Sequence, residues 1–140
     1  MNKIKGYPNL LSLLFYHLLD NAIKFRKPNT QPVIEIQYSN IEGTNINHAD
    51  ADAALTYFVV SIADNGIGME CLEKEKLFTM FYKGHDKTKY KGSGIGLAIC
   101  KKIMDLHNGF ITVEAREQGE GAIFRCFFPL EKEHFSTERL

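Results

Sequence analysis

The stretch LTYFVVSIADNGIGME, residues 55 to 70, runs β-branched and aromatic residues straight into an aspartate followed by two glycines one residue apart. Such a run predicts a strand. With a side-chain period of two, Phe58, Val60 and Ile62 share one face, and Asp64 continues the same row. Its carboxylate therefore points to the buried side, where a charge without a donor is costly. Gly66 and Gly68 remove side chains beside it, leaving room for something flat to approach the backbone. A tight turn, with Asp64 accepting local backbone N–H groups, is an equally open reading of this stretch alone.

Upstream, Leu11, Phe15, Leu18, Leu19 and Ala22 recur at helical spacing over residues 10 to 25 and predict a helix that Pro28 ends. PVIEIQY then sets Ile34, Ile36 and Tyr38 against Glu35 and Gln37, the pattern of a strand with one buried face. Residues 40 to 54 are polar and unpatterned and read as a loop. Downstream, residues 66 to 93 form a long connection with a short apolar stretch, LFTMF, which reads as either a functional lid or a disordered segment. IGLAICKKIMDL predicts a helix stopped by Asn108-Gly109. FITVEA and AIFRCFF follow as a hairpin, with Ile111, Val113 and Ala115 inward on one strand and Ala122, Phe124, Cys126 and Phe128 on the other. The expected architecture is α+β, a two-layer sandwich whose mixed sheet is covered on one face by helices.

The 140 residues fit one domain, with a core over about 10 to 130 and a polar tail at 131 to 140. A formal net charge of zero gives no sign of a nucleic-acid partner or an acidic-membrane surface. Cys71, Cys100 and Cys126 lack C-x-x-C spacing, which argues for buried thiols in a reducing compartment. No apolar run approaches the ~20 residues that cross a bilayer, so a cytoplasmic chain without direct membrane contact is expected, even if a parent protein is membrane-anchored.

On the first helix His17, Asn21 and Lys24 fall within an arc of roughly 60°, roughly 140° from the centre of the apolar face. An amide oxygen with an ammonium one turn on is suited to a hard cation and a phosphate, although a solvated face would look the same. In KGSGIGLAICKK, Gly92, Gly94 and Gly96 lead into a helix, whose bared N-terminal N–H groups favour an anion. The spacing matches neither the dinucleotide fingerprint nor a Walker loop. Among the lysines before it, Lys83 beside Phe81 and Tyr82 is the best-placed cation.

Taken together and in this order, these stretches resemble the ATP-binding catalytic domain of sensor histidine kinases, in the superfamily shared with DNA gyrase, Hsp90 and MutL. LLDNAIKF looks like its N box, DNGIG its first glycine box, LFTMFYK its F box, GSGIGLAI its second glycine box, and HNGFITVEAREQGEGAIF its closing strands and last glycine motif. The resemblance implies the Bergerat ATP-binding fold and Mg-ATP as ligand. It implies that Asp64 accepts the adenine amino group, that Asn21 binds Mg²⁺ and that Lys24 lies near the phosphates. Gly66 and Gly68 would give the nucleotide clearance, Gly92, Gly94, Gly96 and the Leu97 amide would face the triphosphate, and Tyr82 and Lys83 would touch nucleotide where the lid starts. His17 stands where many members carry asparagine or glutamate, so its catalytic part is open, and the missing glutamate argues against efficient hydrolysis. Ala122 stands where a threonine or serine is usual.

The implied activity is that of a protein-histidine kinase, donating the γ-phosphate to a histidine on a separate dimerisation domain that passes it to a response regulator. None of His17, His48, His85, His107 or His134 sits in an acceptor context, so the acceptor is expected elsewhere. A serine kinase of the anti-sigma-factor type and a gyrase- or Hsp90-type ATPase module are the alternatives.

Overall fold

The computed structural model of the chain describes residues 4–66, 95–116 and 121–130. Helix α1 spans Pro8–Lys24, strand β1 Ile34–Glu42, β2 Thr56–Asp64, helix α2 Ile95–Leu106, β3 Phe110–Ala115 and β4 Ala122–Pro129, with a 3-10 turn at Gly43–Asn45 after β1. Proline at the first helical position starts α1, where its missing N–H costs no hydrogen bond. Helix α2 stops as its sequence predicts: Asn108 takes a left-handed conformation (φ 59) and the Gly109 N–H returns to the Met104 carbonyl at 2.9 Å.

The four strands form one sheet in the order β1-β2-β4-β3. All three pairings are antiparallel, where a mixed sheet was expected, because β4 turns back from β3 and slots between it and β2. The two helices pack on each other and over β2, β4 and β3. Between the layers lie Leu14 and Leu18 of α1, Cys100, Ile103 and Met104 of α2, and Ile62, Ile111, Val113, Phe124, Cys126 and Phe128 of the sheet. The inward rows of β2, β3 and β4 are those of the sequence pattern, except that Ala115 is exposed where β3 runs out. Burial pushes the Cys100 thiol up to about 12 and raises that of Cys126 as well, so both behave as small apolar groups. Cys71 lies outside the described residues.

Three expectations are corrected. Ile36 and Tyr38 are 58% and 75% exposed, not buried, because β1 is the edge strand and only its first residue, Ile34, packs against the core under the helices. The sheet is also covered on its second face: Tyr57, Val59, Phe110 and Phe127 form a smaller core with Ile41, Ile46 and Ala51 of the segment read as a bare loop and with Leu55 just after it. That segment is anchored by the Gly43 N–H on Leu55 O at 2.7 Å and by the Asp52 N–H on the Tyr57 hydroxyl at 2.9 Å. Finally, the buried stripe of α1 centres on Leu14, Leu18 and Ala22, so the His17/Asn21 arc flanks the core instead of opposing it.

The lead-in to α1 is tied to the far end of α2. His107 is buried, its Nε2 accepts the Tyr7 N–H at 3.0 Å, and its Nδ1 lies 2.8 Å from Ile103 O, which fixes the Nδ1–H tautomer.

These placements separate two substitutions of similar chemistry. Leu14→Ala, fully inside the core, is expected to cost about 2–5 kcal/mol, whereas Tyr38→Ala should stay within about 1 kcal/mol; urea unfolding of both variants is the check. In the native chain, peptide mapping after alkylation at neutral pH should find Cys100 and Cys126 unmodified.

Candidate functional site

Asp64 closes β2 and is 8% exposed. Its Oδ1 accepts the N–H of Gly66 at 2.9 Å and the N–H of Ala122 at 3.2 Å. Both turn and neighbouring strand therefore meet the same oxygen, and among the described residues nothing bonds Oδ2. Burial raises the Asp64 pKa above its ordinary value, while the two backbone N–H groups and the Arg116 guanidinium work in the opposite direction.

Two glycines make this arrangement sterically possible. A Cβ on Gly66 would lie 2.5 Å from the Phe25 carbonyl oxygen, so the end of β2 could not pass the end of α1 with any side chain there. At Gly121 a Cβ would lie 1.8 Å from Asp64 O, and its φ of +93 is one that side chains rarely adopt. That glycine lets the β4 chain close onto Asp64, which is how the Ala122 N–H reaches the carboxylate. The missing hydroxyl at Ala122 is thus accompanied by a direct backbone contact from the same residue.

Two residues at this end were not singled out in the sequence. Asn65 accepts the Val33 N–H on Oδ1 at 2.8 Å and donates from Nδ2 to Gln31 O at 3.1 Å, which pins the lead-in of β1 beside Asp64. Arg116 donates from Nη1 to Asp64 O at 3.2 Å, and its own N–H reaches Gly121 O at 3.4 Å. Asn65 sits in a D-N-G turn, a signal for local backbone bonding. Arg116 carries no comparable signal.

The α1 arc faces the start of α2. A Cβ on Gly96 would lie 3.1 Å from His17 Nδ1, so the absence of a side chain at Gly96 leaves the imidazole room against the first turn of that helix. The first-turn N–H groups of α2, including those of Gly96 and Leu97, have no acceptor within the helix, and the Leu97 side chain leans on the core. Asn21 is half-buried on the same arc. Lys24 is exposed and pairs with Asp20 at 2.9 Å, an ion pair of small energetic weight. Gly68, Tyr82, Lys83, Gly92, Gly94 and the lid at 69 to 93 lie outside the described residues.

Of the other described histidines, His48 stacks on Phe110 at 4.5 Å and accepts the Asp50 N–H, and His107 holds Tyr7, so both have structural partners. Among the described residues no group of three or more His, Cys, Asp or Glu side chains is placed to hold a metal ion, and no helix is long and apolar enough to cross a membrane.

Asp64, with one carboxylate oxygen unbonded among the described residues, and the start of α2, with His17 against it, are two places where hydrogen-bonding and anion-favouring groups are on offer. Known proteins share this framework. The profile of the histidine kinase-, DNA gyrase B- and HSP90-like ATPases matches residues 6–132. Cyanobacterial phytochrome A of Nostoc sp. is 36% identical over 120 residues, covering 86% of this chain and 14% of that protein. The sensor protein RprX of Bacteroides fragilis is 34% identical over 121 residues, covering 85% of this chain and 21% of that protein. The chain therefore spans a small part of the curated relatives it matches. Among solved structures, the catalytic domain of histidine kinase ThkA superposes with a TM-score of 0.64 at 27% identity, over 90% of this chain and 71% of that one. The mycobacterial sensor histidine kinase MprB shares the fold, with a TM-score of 0.70 at 22% identity over 93% of this chain and 78% of that one. With a profile that runs from the lead-in of α1 past the end of β4, the chain belongs to the family of histidine kinase-, DNA gyrase B- and HSP90-like ATPases.

Proposed function

We propose that this domain binds Mg-ATP and donates its γ-phosphate to a histidine on a separate dimerisation domain of a sensor kinase, from which a response regulator is served. The observation that carries the reading is the Asp64 carboxylate: buried, with Oδ1 taken by two backbone N–H groups and no described partner on Oδ2. An exocyclic amino group supplies the N–H donor that such an oxygen requires. The triphosphate then runs toward the α2 N-terminus, where N–H groups without an acceptor in the helix and the helix dipole favour anions. By the family resemblance, Gly68, Gly92 and Gly94 would give it clearance and Tyr82 and Lys83 would touch it, all of them outside the described residues.

Asn21 is the residue that would hold Mg²⁺. Its half-buried amide oxygen is a hard donor, and the lack of a multi-carboxylate cluster among the described residues suits a cation that arrives on phosphates and keeps much of its water. Bound there, the ion would neutralise phosphate charge. Lys24 adds a cation once it leaves Asp20. His17, placed against Gly96, orients an acceptor or a water by hydrogen bonding, and without a carboxylate at that position the chain lacks a strong base for hydrolysis. Phosphoryl transfer needs mainly positioning and charge neutralisation, which these groups supply. That the similar full-length proteins include sensor kinases supports this reading over an anti-sigma-type serine kinase or a gyrase-type ATPase.

Asp64→Asn separates binding from folding. Loss of a charge-assisted hydrogen bond of about 1.5–3 kcal/mol should weaken ATP binding by about 10- to 100-fold in calorimetry. A carboxyl with a raised folded-state pKa holds its proton more tightly in the folded chain. Its contribution to stability is therefore greatest below the ordinary carboxylate pKa and falls as pH rises through the shifted value. Nucleotide-free Asp64→Asn should accordingly be no less stable than the parent at neutral pH. If it unfolds while binding ATP normally, the turn reading holds instead. For the cation, Asn21→Ala should abolish the Mg²⁺ dependence of ATP affinity. Phosphate transferred to an added dimerisation domain should be acid-labile, as phosphohistidine is, and an acid-stable product would assign a serine kinase.

A further inference from the structure

Arg116 is a charged side chain on the base end of the site for which the proposed reaction has so far needed no role. It leaves the end of β3, and its guanidinium donates to the backbone carbonyl of Asp64 at 3.2 Å, while its N–H closes on Gly121 across the hairpin. The carbonyl it grips is the one against which Gly121 packs, and Gly121 precedes the residue whose N–H binds the Asp64 carboxylate. The side chain of this residue thus holds the backbone of Asp64, and its own backbone N–H holds Gly121, the neighbour of the residue whose N–H meets the carboxylate. Among the described residues, the other groups placed around Asp64 are uncharged or paired with each other. Strand β1 opposes it with Ile34, β4 contributes the Ala122 N–H, the turn contributes Gly66, and on α1 Asp20 and Lys24 pair with each other.

We propose that Arg116 is a positioning residue for purine selection: it holds Asp64 in place and in its ionised form, so that the site takes a 6-amino purine and rejects a 6-oxo purine. The inference rests on Asp64 being the acceptor for the base. An ionised carboxylate only accepts hydrogen bonds, so it attracts an amino group and repels a carbonyl oxygen; a protonated carboxyl donates and would welcome that oxygen. Selection by a buried polar group is strong because the wrong base leaves the group unpaired. Burial works toward the protonated form, and Arg116 is the full positive charge that works against it. At Ala122, where the side chain offers no hydroxyl to the base, more of the selection falls on the charge state of Asp64.

The test is a titration of the whole chain with ATP and with inosine triphosphate between about pH 5.5 and 8, for the parent, Arg116→Gln and Arg116→Lys. Removing the positive charge raises the Asp64 pKa further, so affinity for ATP should fall at a higher pH than in the parent. Toward the acid end of that range the ATP to inosine triphosphate preference of Arg116→Gln should fall below that of the parent by about tenfold, yet remain near the parent value at the alkaline end. Arg116→Lys should restore the parent profile. An unchanged preference and pH profile in Arg116→Gln overturns the proposal, as does an equal loss of both nucleotides at every pH that lysine does not rescue, which marks a purely structural side chain. If the parent chain binds ATP with preference but Asp64→Asn does not alter it, the base reading of Asp64 fails on its own account.

Discussion

A carboxylate buried at the end of a strand has to be met by donors, and much of this domain is arranged around that requirement. Two N–H groups converge on one oxygen of Asp64, one from the turn that follows and one from a strand nearly sixty positions later in the chain. The second can arrive only if β4 lies directly beside β2 and if the residue before it accepts a positive φ. Sheet order, hairpin geometry and the identity of residue 121 are therefore coupled to one side chain. The same constraint governs the other side, where α1 ends so close to Gly66 that no side chain fits.

The two ends of the site are built from different materials. At the Asp64 end the polar groups are fixed by the sheet and its turns, with Asn65 and Arg116 bracing the backbone that carries Asp64. At the other end the groups come from helices: the arc of α1 and the first turn of α2, brought together by a glycine that leaves room for an imidazole. A rigid head and a helical tail suit a ligand whose recognition and chemistry lie at opposite ends. His107 ties the opposite end of α2 to the segment before α1, so the helix that opens on the site also closes on the lead-in of the chain.

Much of this was legible in the sequence because the relevant signals are periodic. The alternation of Phe58, Val60, Ile62 and Asp64 places the carboxylate, and the helical spacing of His17 and Asn21 places them on one arc. What was not legible depends on who covers whom. Ile36 and Tyr38 alternate as a buried row would, and only their place at the sheet edge leaves them in solvent. Ile41, Ile46, Ala51 and Leu55 are spaced irregularly among polar residues, so no period announces that they cover the second face. Arg116 sits just beyond the last residue of β3, where strand alternation no longer says which way a side chain points. Its role follows from the distance to a carbonyl fifty-two positions away.

The strand order has a further consequence for how the chain is made. The last described strand is a central one, inserted between β2 and β3. A nascent chain emerging from the ribosome can form α1 and the β1–β2 hairpin early, but β3 has no partner in the sheet, and Asp64 lacks one of its two donors, until β4 has been synthesised. Loss of residues from the C-terminal end of the described fold would split the sheet down its middle instead of trimming its rim. Asp64 thus gains the second of its described donors only when β4 is delivered.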